Sequence, residues 1–172
     1  MKSNKHIKRL YILLSWVLFI SFMAIVLPYE SNLLSEQTQM SESFDTSFFQ
    51  TGMARLQMVE DYQEAGRNAY IISRFRFDIL WPLVYGMAFH SLLWLFLRGK
   101  PSWMLYLPWI AVSLDLLENA SVIELMLQYP QSSIVLAWIS SFLTLFKWIT
   151  ILILPVAVVY VFIQSKKPNH LT

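Results

Sequence analysis

The candidates for chemistry in this chain are the few ionisable residues that fall within or at the ends of long apolar stretches. They are Asp78, Asp115, Glu118 and Lys147. A charge near the centre of a membrane costs at least about 2.5–3.5 kcal/mol, so side chains of this kind face protein or water rather than lipid. Ionisable residues placed in this way are therefore candidates for a functional site.

Helical spacing groups these residues with polar neighbours. Asp115, Glu118 and Asn119 stand three and four residues apart and would form one stripe on a helix. The same spacing produces a stripe with Ser140, Thr144 and Lys147, and another with Arg67, Arg74, Asp78 and Tyr85.

The proline in the third stripe predicts a further polar group. Pro82 has no N–H and cannot bond the carbonyl of Asp78, four residues earlier. A free carbonyl would then stand beside the Asp78 carboxylate, unless the helix begins as late as Asp78.

Three hypotheses follow from these stripes. The cations Arg67, Arg74 and Lys147 could neutralise the three carboxylates and clamp the helices in register, because a paired set of buried charges is tolerable. Alternatively, the cluster forms a pocket that binds a polar ligand or lipid headgroup, or carries protons. In a third hypothesis, Asp115 or Glu118 acts as the general base of an intramembrane enzyme that modifies lipid.

Other classes of function lack the residues that they need. The chain has no cysteine, and its three histidines, His6, His90 and His170, are far apart, so we predict no metal site. Glycine-rich phosphate loops and nucleophile motifs are missing, which leaves no predicted cofactor and disfavours an enzyme. The net charge of +2 gives no reason to expect a nucleic-acid partner.

The elements that must position these residues are membrane helices. Of 172 residues, 56% are apolar and 14% charged, against about 45–50% and about 25% in soluble domains. Four stretches are long enough to cross about 30 Å of hydrocarbon as helices, at 10–27, 79–97, 103–127 and 133–163. We therefore predict an all-α, four-helix membrane protein with a single domain, 1–172.

Lysines and arginines predict the orientation. The segments before the first stretch, between the second and third, and after the fourth hold eight basic residues and no acidic one. Segment 28–77 holds seven acidic residues. The positive-inside rule then places both termini in the cytoplasm and 28–77 outside the cell membrane. Heights in the membrane are counted from the cytoplasmic edge at about 1.5 Å per helical residue. They are roughly 18–28 Å for the four ionisable residues Asp78, Asp115, Glu118 and Lys147, which places all four in the outer half of the bilayer.

Segment 28–77 divides into two predicted parts. Residues 31–43 are polar and read as a loop, whereas about 44–65 has the apolar spacing of an amphipathic helix. Gly66 is a natural helix stop, and the second spanning helix would begin near Arg67. This external helix would either lie on the outer leaflet or cover the bundle, and its acidic character favours the second. The expected partners are membrane lipid and, on the external face, a small polar molecule or a protein.

The ordered motifs resemble those of a group of uncharacterised four-helix bacterial membrane proteins. They are Gly66-Arg67-x-x-Tyr70, Asp78-x-x-x-Pro82-x-x-Tyr85, Asp115-x-x-Glu118-Asn119 and Lys147-Trp148. The resemblance implies a four-helix fold with a shared polar cluster, and it implies no reaction.

Overall fold

A computed structural model describes residues 5–40, 43–44, 48–98 and 101–166, which form helices joined by short turns, with no strand among them. The all-α prediction is confirmed for this part of the chain. The α-helices are α1 (Lys5–Ser21), α2 (Leu27–Thr38), α3 (Gly52–Asp61), α4 (Gln63–Arg76), α5 (Leu80–Phe96), α6 (Leu107–Leu127) and α7 (Ile134–Lys166).

Three helical runs are long and apolar enough to cross a membrane. They are Lys5–Thr38, Gln63–Phe96 and Ile134–Lys166, of 34, 34 and 33 residues. The first run is continuous because a π-helical segment, Phe22–Val26, joins α1 to α2. The surfaces of α1 and α7 are rich in exposed leucine, isoleucine and phenylalanine, which is the surface that a helix presents to lipid.

The long helices alternate in direction along the chain. Helix α6 packs against α5 and most extensively against α7, while α1 packs against α5. Helices α2, α3 and α4, which we call the cap, lie where α6 ends and α7 begins. The cap core contains Phe44, Val59, Tyr62 and Tyr70, packed on Leu125 of α6.

A glycine allows the close approach of α5 and α6. A Cβ atom added to Gly86 would lie 2.5 Å from Cγ2 of Val112, well inside van der Waals contact. The two helices therefore approach closely one residue after Tyr85, and this approach brings Tyr85 to the acidic stripe of α6.

The predicted bounds of the last three apolar stretches agree closely with the helices. The stretches at 79–97 and 133–163 correspond to Leu80–Phe96 and Ile134–Lys166. The stretch at 103–127 begins with a 3-10 turn at Trp103–Tyr106 and continues as α6.

The predicted loop at 31–43 is wrong for its first eight residues, which belong to α2. Pro28 lies inside the continuous run, two residues after the π-helical segment Phe22–Val26, and the helix continues through it instead of ending there. The helix ends only at Thr38, before Gln39, which takes the left-handed conformation at φ 56°.

The predicted helix stop at Gly66 is also wrong. The helix predicted at about 44–65 is broken earlier, at Tyr62 between α3 and α4, and Gln63 has a positive φ of 53°. Gly66 is buried inside α4, where a Cβ atom would lie 3.6 Å from Cα of Thr38. A Cβ atom at that distance makes ordinary van der Waals contact, so Gly66 lies beside α2 within a continuous helix and does not mark a helix end.

Candidate functional site

The lysine of α7 and two carboxylates of α6 form the centre of a buried charged cluster. Nζ of Lys147 lies 2.9 Å from Oε2 of Glu118 and 3.4 Å from Oδ1 of Asp115. All three side chains are buried, with Glu118 only 1% exposed. The stripes predicted on two separate helices therefore face each other, as their periodicity and common height indicated.

A second ion pair comes from the junction of α4 and α5. The guanidinium of Arg74 lies 2.5 Å from the carboxylate of Asp78, and both residues are buried. Because α5 begins at Leu80, Asp78 stands in the turn just before it. This turn brings the carboxylate of Asp78 to the guanidinium of Arg74, four residues earlier on α4.

Asn119 connects the two ion pairs. Its Nδ2 donates to the backbone carbonyl of Asp78 at 3.2 Å and to Oδ1 of Asp115 at 3.4 Å. Its Oδ1 accepts from Arg74 at 3.4 Å. The carbonyl that Pro82 cannot bond thus has a donor on α6, which fixes the α4–α5 junction against that helix.

Arg55 of α3 enters the cluster, although sequence reasoning did not select it. The side chain is 0% exposed, and its two terminal nitrogens donate to Oγ of Ser140 and Oγ1 of Thr144, each at 2.5 Å. Its Nη1 lies 3.6 Å from Oε1 of Glu118, which also accepts from Thr144 at 3.0 Å. The available signal was its position four residues before Val59, on the apolar face of the cap helix.

Arg67 occupies a different place from the one expected for it. Its guanidinium stacks over the ring of Tyr129 with 4.0 Å to the centroid, and it donates to the backbone carbonyl of Val59 at 3.2 Å. These contacts join α4 to α3 and to the turn after α6. Arg55 supplies the third cation that the sequence assigned to Arg67.

Tyr85 completes the cluster from α5. Its hydroxyl donates to Oδ2 of Asp115 at 3.1 Å, in a buried position. Asp115 therefore receives contacts from α5, α6 and α7 at once.

The charges of the cluster balance among the described residues. Its cations are Arg55, Arg74 and Lys147, and its carboxylates are those of Asp78, Asp115 and Glu118. Such pairing offsets the cost of burying each charge. No group of three or more histidine, cysteine or acidic side chains arranged to hold a metal ion occurs within the described ranges.

A cavity of about 400 Å³ opens beside the cluster, between α2 and α7. Its charged wall contains Arg74, Asp78, Asp115 and Lys147. The rest of its wall contains Glu30 of α2 and otherwise apolar and small polar side chains, among them Leu27, Ser31, Leu34, Trp81, Trp148 and Ile151. The first predicted span ended at Leu27, where α2 begins, and α2 supplies one side of this cavity.

The two remaining ionisable candidates lie away from the cluster. Nδ1 of His90 lies 3.1 Å from the hydroxyl of Tyr11, at the contact of α1 with α5. Glu124 is exposed near the cap end of α6, where Gln128 donates to it at 2.7 Å.

Comparison with known proteins adds no further assignment, since no family model, no curated protein and no solved structure matches this chain. Its own fold and site define its class. It is a helical protein with candidate membrane-spanning helices and a buried cluster of paired charges.

Proposed function

We propose that this chain is a four-span protein of the cell membrane whose cavity binds the polar headgroup of a membrane amphiphile. The proposal has three parts, which are the fourth span, the orientation and the ligand. Each depends on a different set of contacts.

The fourth span is α6. Its 21 residues give a length of about 31 Å, close to the thickness of the hydrocarbon core. Two of its carboxylates, Asp115 and Glu118, face Lys147 and not the outside. The third, Glu124, is exposed near the cap end, at the height where water begins.

The cap lies on the external side. The opposite end of the helices carries Lys8, Arg98 and Lys166, and Arg98 donates to the backbone carbonyl of Ser165 at 2.9 Å, so the ends of α5 and α7 lie together. Basic residues concentrate on the cytoplasmic side of membrane proteins. Both termini are therefore cytoplasmic in this proposal.

The cavity lies where hydrocarbon gives way to the headgroup region. The run Lys5–Thr38 is about 51 Å long, which exceeds the hydrocarbon core by roughly 20 Å, so α2 projects beyond it. The α2 residues that line the cavity include Glu30, Ser31 and Ser35, which suit this interfacial height. A lipid headgroup is thus the polar group that this cavity would meet.

The observation that carries the proposal is that four charged side chains of the cluster line a cavity. A set of charges that only clamped helices together would be enclosed in close-packed protein, since interiors have few voids larger than a water molecule. Ligand sites have the opposite design, in which a few converging polar groups stand in a largely apolar concavity. Glu118 is outside the lining, and Asp115 contacts both Lys147 and Tyr85, so the geometry favours binding over general-base catalysis.

Lipid retention by a cavity-filling variant tests the proposal. Ser31→Trp places a large side chain in the cavity from an exposed position on α2, and Asn32→Trp places the same side chain on the next, exposed residue outside the lining. After extraction in mild detergent, native mass spectrometry should find at least one lipid on the wild type and on Asn32→Trp, and none on Ser31→Trp. Equal retention by all three proteins would refute a ligand site in this cavity.

A further inference from the structure

We infer that the ligand is zwitterionic and carries an aminoalkyl phosphate headgroup. This inference rests on the proposed function, because it names the class of headgroup that the same cavity would select. Its basis is the arrangement of charge in the cavity wall.

Charges of both signs line the cavity. The cations are Arg74 and Lys147, and the carboxylates are those of Glu30, Asp78 and Asp115. Arg74 is paired with Asp78 at the α4–α5 junction, and Lys147 of α7 is paired with Asp115 of α6. Glu30 is paired in turn with Arg76, at 2.5 Å across α2 and α4.

A headgroup with a net negative charge fits this wall poorly. Every cation of the wall lies within 3.4 Å of a carboxylate, so an anion that approached Arg74 or Lys147 would also approach Asp78 or Asp115. In a site of lower dielectric than water, this repulsion offsets the attraction. A purely cationic headgroup meets the converse difficulty.

A zwitterion can satisfy both signs at once. Its phosphate can accept from Arg74 and Lys147, as arginine and lysine commonly bind phosphate. Its positively charged nitrogen can pair with the carboxylate of Asp78 or Asp115, so that the binding site has no surplus of either charge. The balance of the whole cluster, three cations against three carboxylates, is then unchanged by the ligand.

The apolar side of the cavity agrees with a ligand that also has acyl chains. Trp81 lies three residues beyond Asp78 on α5, and Ile151 lies four residues beyond Lys147 on α7. Both are about one helical turn further from the cap than the charged residues. Trp81 stacks on Phe19 of α1, and both pack with Ile151 against one buried apolar cluster, so an apolar surface continues from the charged wall toward the membrane-spanning helices.

The test compares lipids that differ only in their headgroup. The wild-type protein in detergent is incubated with dioleoyl phosphatidylethanolamine, phosphatidylcholine or phosphatidylglycerol, and the bound lipid is counted by native mass spectrometry. We expect the two zwitterionic lipids to be retained about tenfold more than phosphatidylglycerol, which corresponds to about 1.4 kcal/mol. Soluble glycerophosphoethanolamine, a phosphodiester with no net charge, is added as a competitor and should displace the lipid more readily than glycerophosphoglycerol, which is anionic; equal displacement by the two would overturn the inference.

A charge added to the cavity wall provides the decisive control. Ser31→Lys brings one cation into the lining without altering the buried cluster, and Asn32→Lys adds the same charge outside it. Ser31→Lys should raise the retention of phosphatidylglycerol severalfold, while Asn32→Lys should leave the preference of the wild type.

The possible failures are distinguishable. Equal retention of the three lipids by the wild type, or preference for phosphatidylglycerol, overturns the zwitterion inference and leaves the lipid site in place. An unchanged preference in Ser31→Lys also overturns it. Retention of lipid by Ser31→Trp at the wild-type level removes the proposed function itself.

Discussion

The two ends of the core helices α5, α6 and α7 bury different kinds of side chain. Toward the cap, α6 and α7 bury Asp115, Glu118 and Lys147, which depend on partners from other helices. At the opposite end, α5 and α7 bury Leu93 and, among others, Val161, in an apolar cluster. Even the hydroxyl of the buried Ser91, two residues before Leu93 on α5, donates to the carbonyl of Ala88 within its own helix.

This difference indicates that stability alone does not account for the charges. The apolar end shows that the same helices can be joined by leucine and valine. Replacing a buried ion pair by apolar residues of similar volume is often neutral or stabilising. The charged end is therefore best explained by what it faces, which is the cavity beside α2.

Removal of the central cation should have the largest effect on stability. Lys147→Met would leave Asp115 and Glu118 without the amine between them, and breaking a buried charge network typically costs about 3–5 kcal/mol. We expect a strongly lowered Tm in detergent and a reduced amount of protein in membranes. Lys166→Met, at the exposed end of the same helix, is the matched control and should melt like the wild type.

An apolar version of the charged end would separate stability from binding. Replacing Lys147, Glu118, Asp115 and Arg55 together by methionine or leucine removes two cations and two carboxylates at once. No member of these four is then left buried without its partner. This protein should recover most of the Tm lost by Lys147→Met and still fail to retain lipid. Recovery of both properties would show that the charges act only as a clamp.

Truncation at the apolar end should lower stability without affecting the ligand. Leu93 is 0% exposed, and Leu93→Ala would leave a cavity that typically costs about 2–5 kcal/mol. The Tm should fall, while the number and kind of retained lipids should match the wild type. Loss of lipid from Leu93→Ala at temperatures below its Tm would contradict the division of the protein into two ends.

A smaller effect is expected from the tyrosine at the edge of the cluster. Tyr85→Phe removes the hydroxyl that donates to Asp115 at 3.1 Å, and hydrogen bonds to charged groups contribute about 1.5–3 kcal/mol. The Tm should fall by less than in Lys147→Met. Tyr160→Phe, which removes a hydroxyl from an exposed position on α7, should leave the Tm unchanged.

The helices and the meeting of the α6 and α7 stripes could be predicted from sequence, because both depend on local patterns. Hydropathy alone locates α5, α6 and α7, and a period of 3.6 residues places Asp115 and Glu118 on one face. Arg55 escaped prediction since its partners, Ser140 and Thr144, are more than 80 residues away along the chain. A cation on an apolar helical face is a signal for a buried partner, and it was available in the sequence.

The cap was predicted less well because proline and glycine occur both at helix ends and inside helices. Pro28 can end a helix or lie within one, and here the helix continues through it from the π-helical segment and brings Glu30 to Arg76 of α4. Gly66 can stop a helix or lie inside one, and here it is buried within α4, beside Thr38 of α2. These are contacts between distant segments, and a local pattern does not contain them.

The smallest change in stability, and the sharpest test of the cavity, comes from the ion pair that joins α2 to α4. Arg76 is half exposed, whereas Glu30 is buried and lines the cavity, so breaking their contact should shift the Tm less than Lys147→Met, Leu93→Ala or Tyr85→Phe, because water screens the pair on the Arg76 side. Arg76→Gln would leave the Glu30 carboxylate in the cavity wall without this partner. The retention of phosphatidylglycerol should then fall below that of the wild type. Glu30→Gln removes the same ion pair and also removes the negative charge from the wall, so the retention of phosphatidylglycerol should rise. Opposite shifts from two variants that break one contact would show that the charge of the wall selects the ligand, whereas equal shifts would reduce Glu30 to a bond between helices.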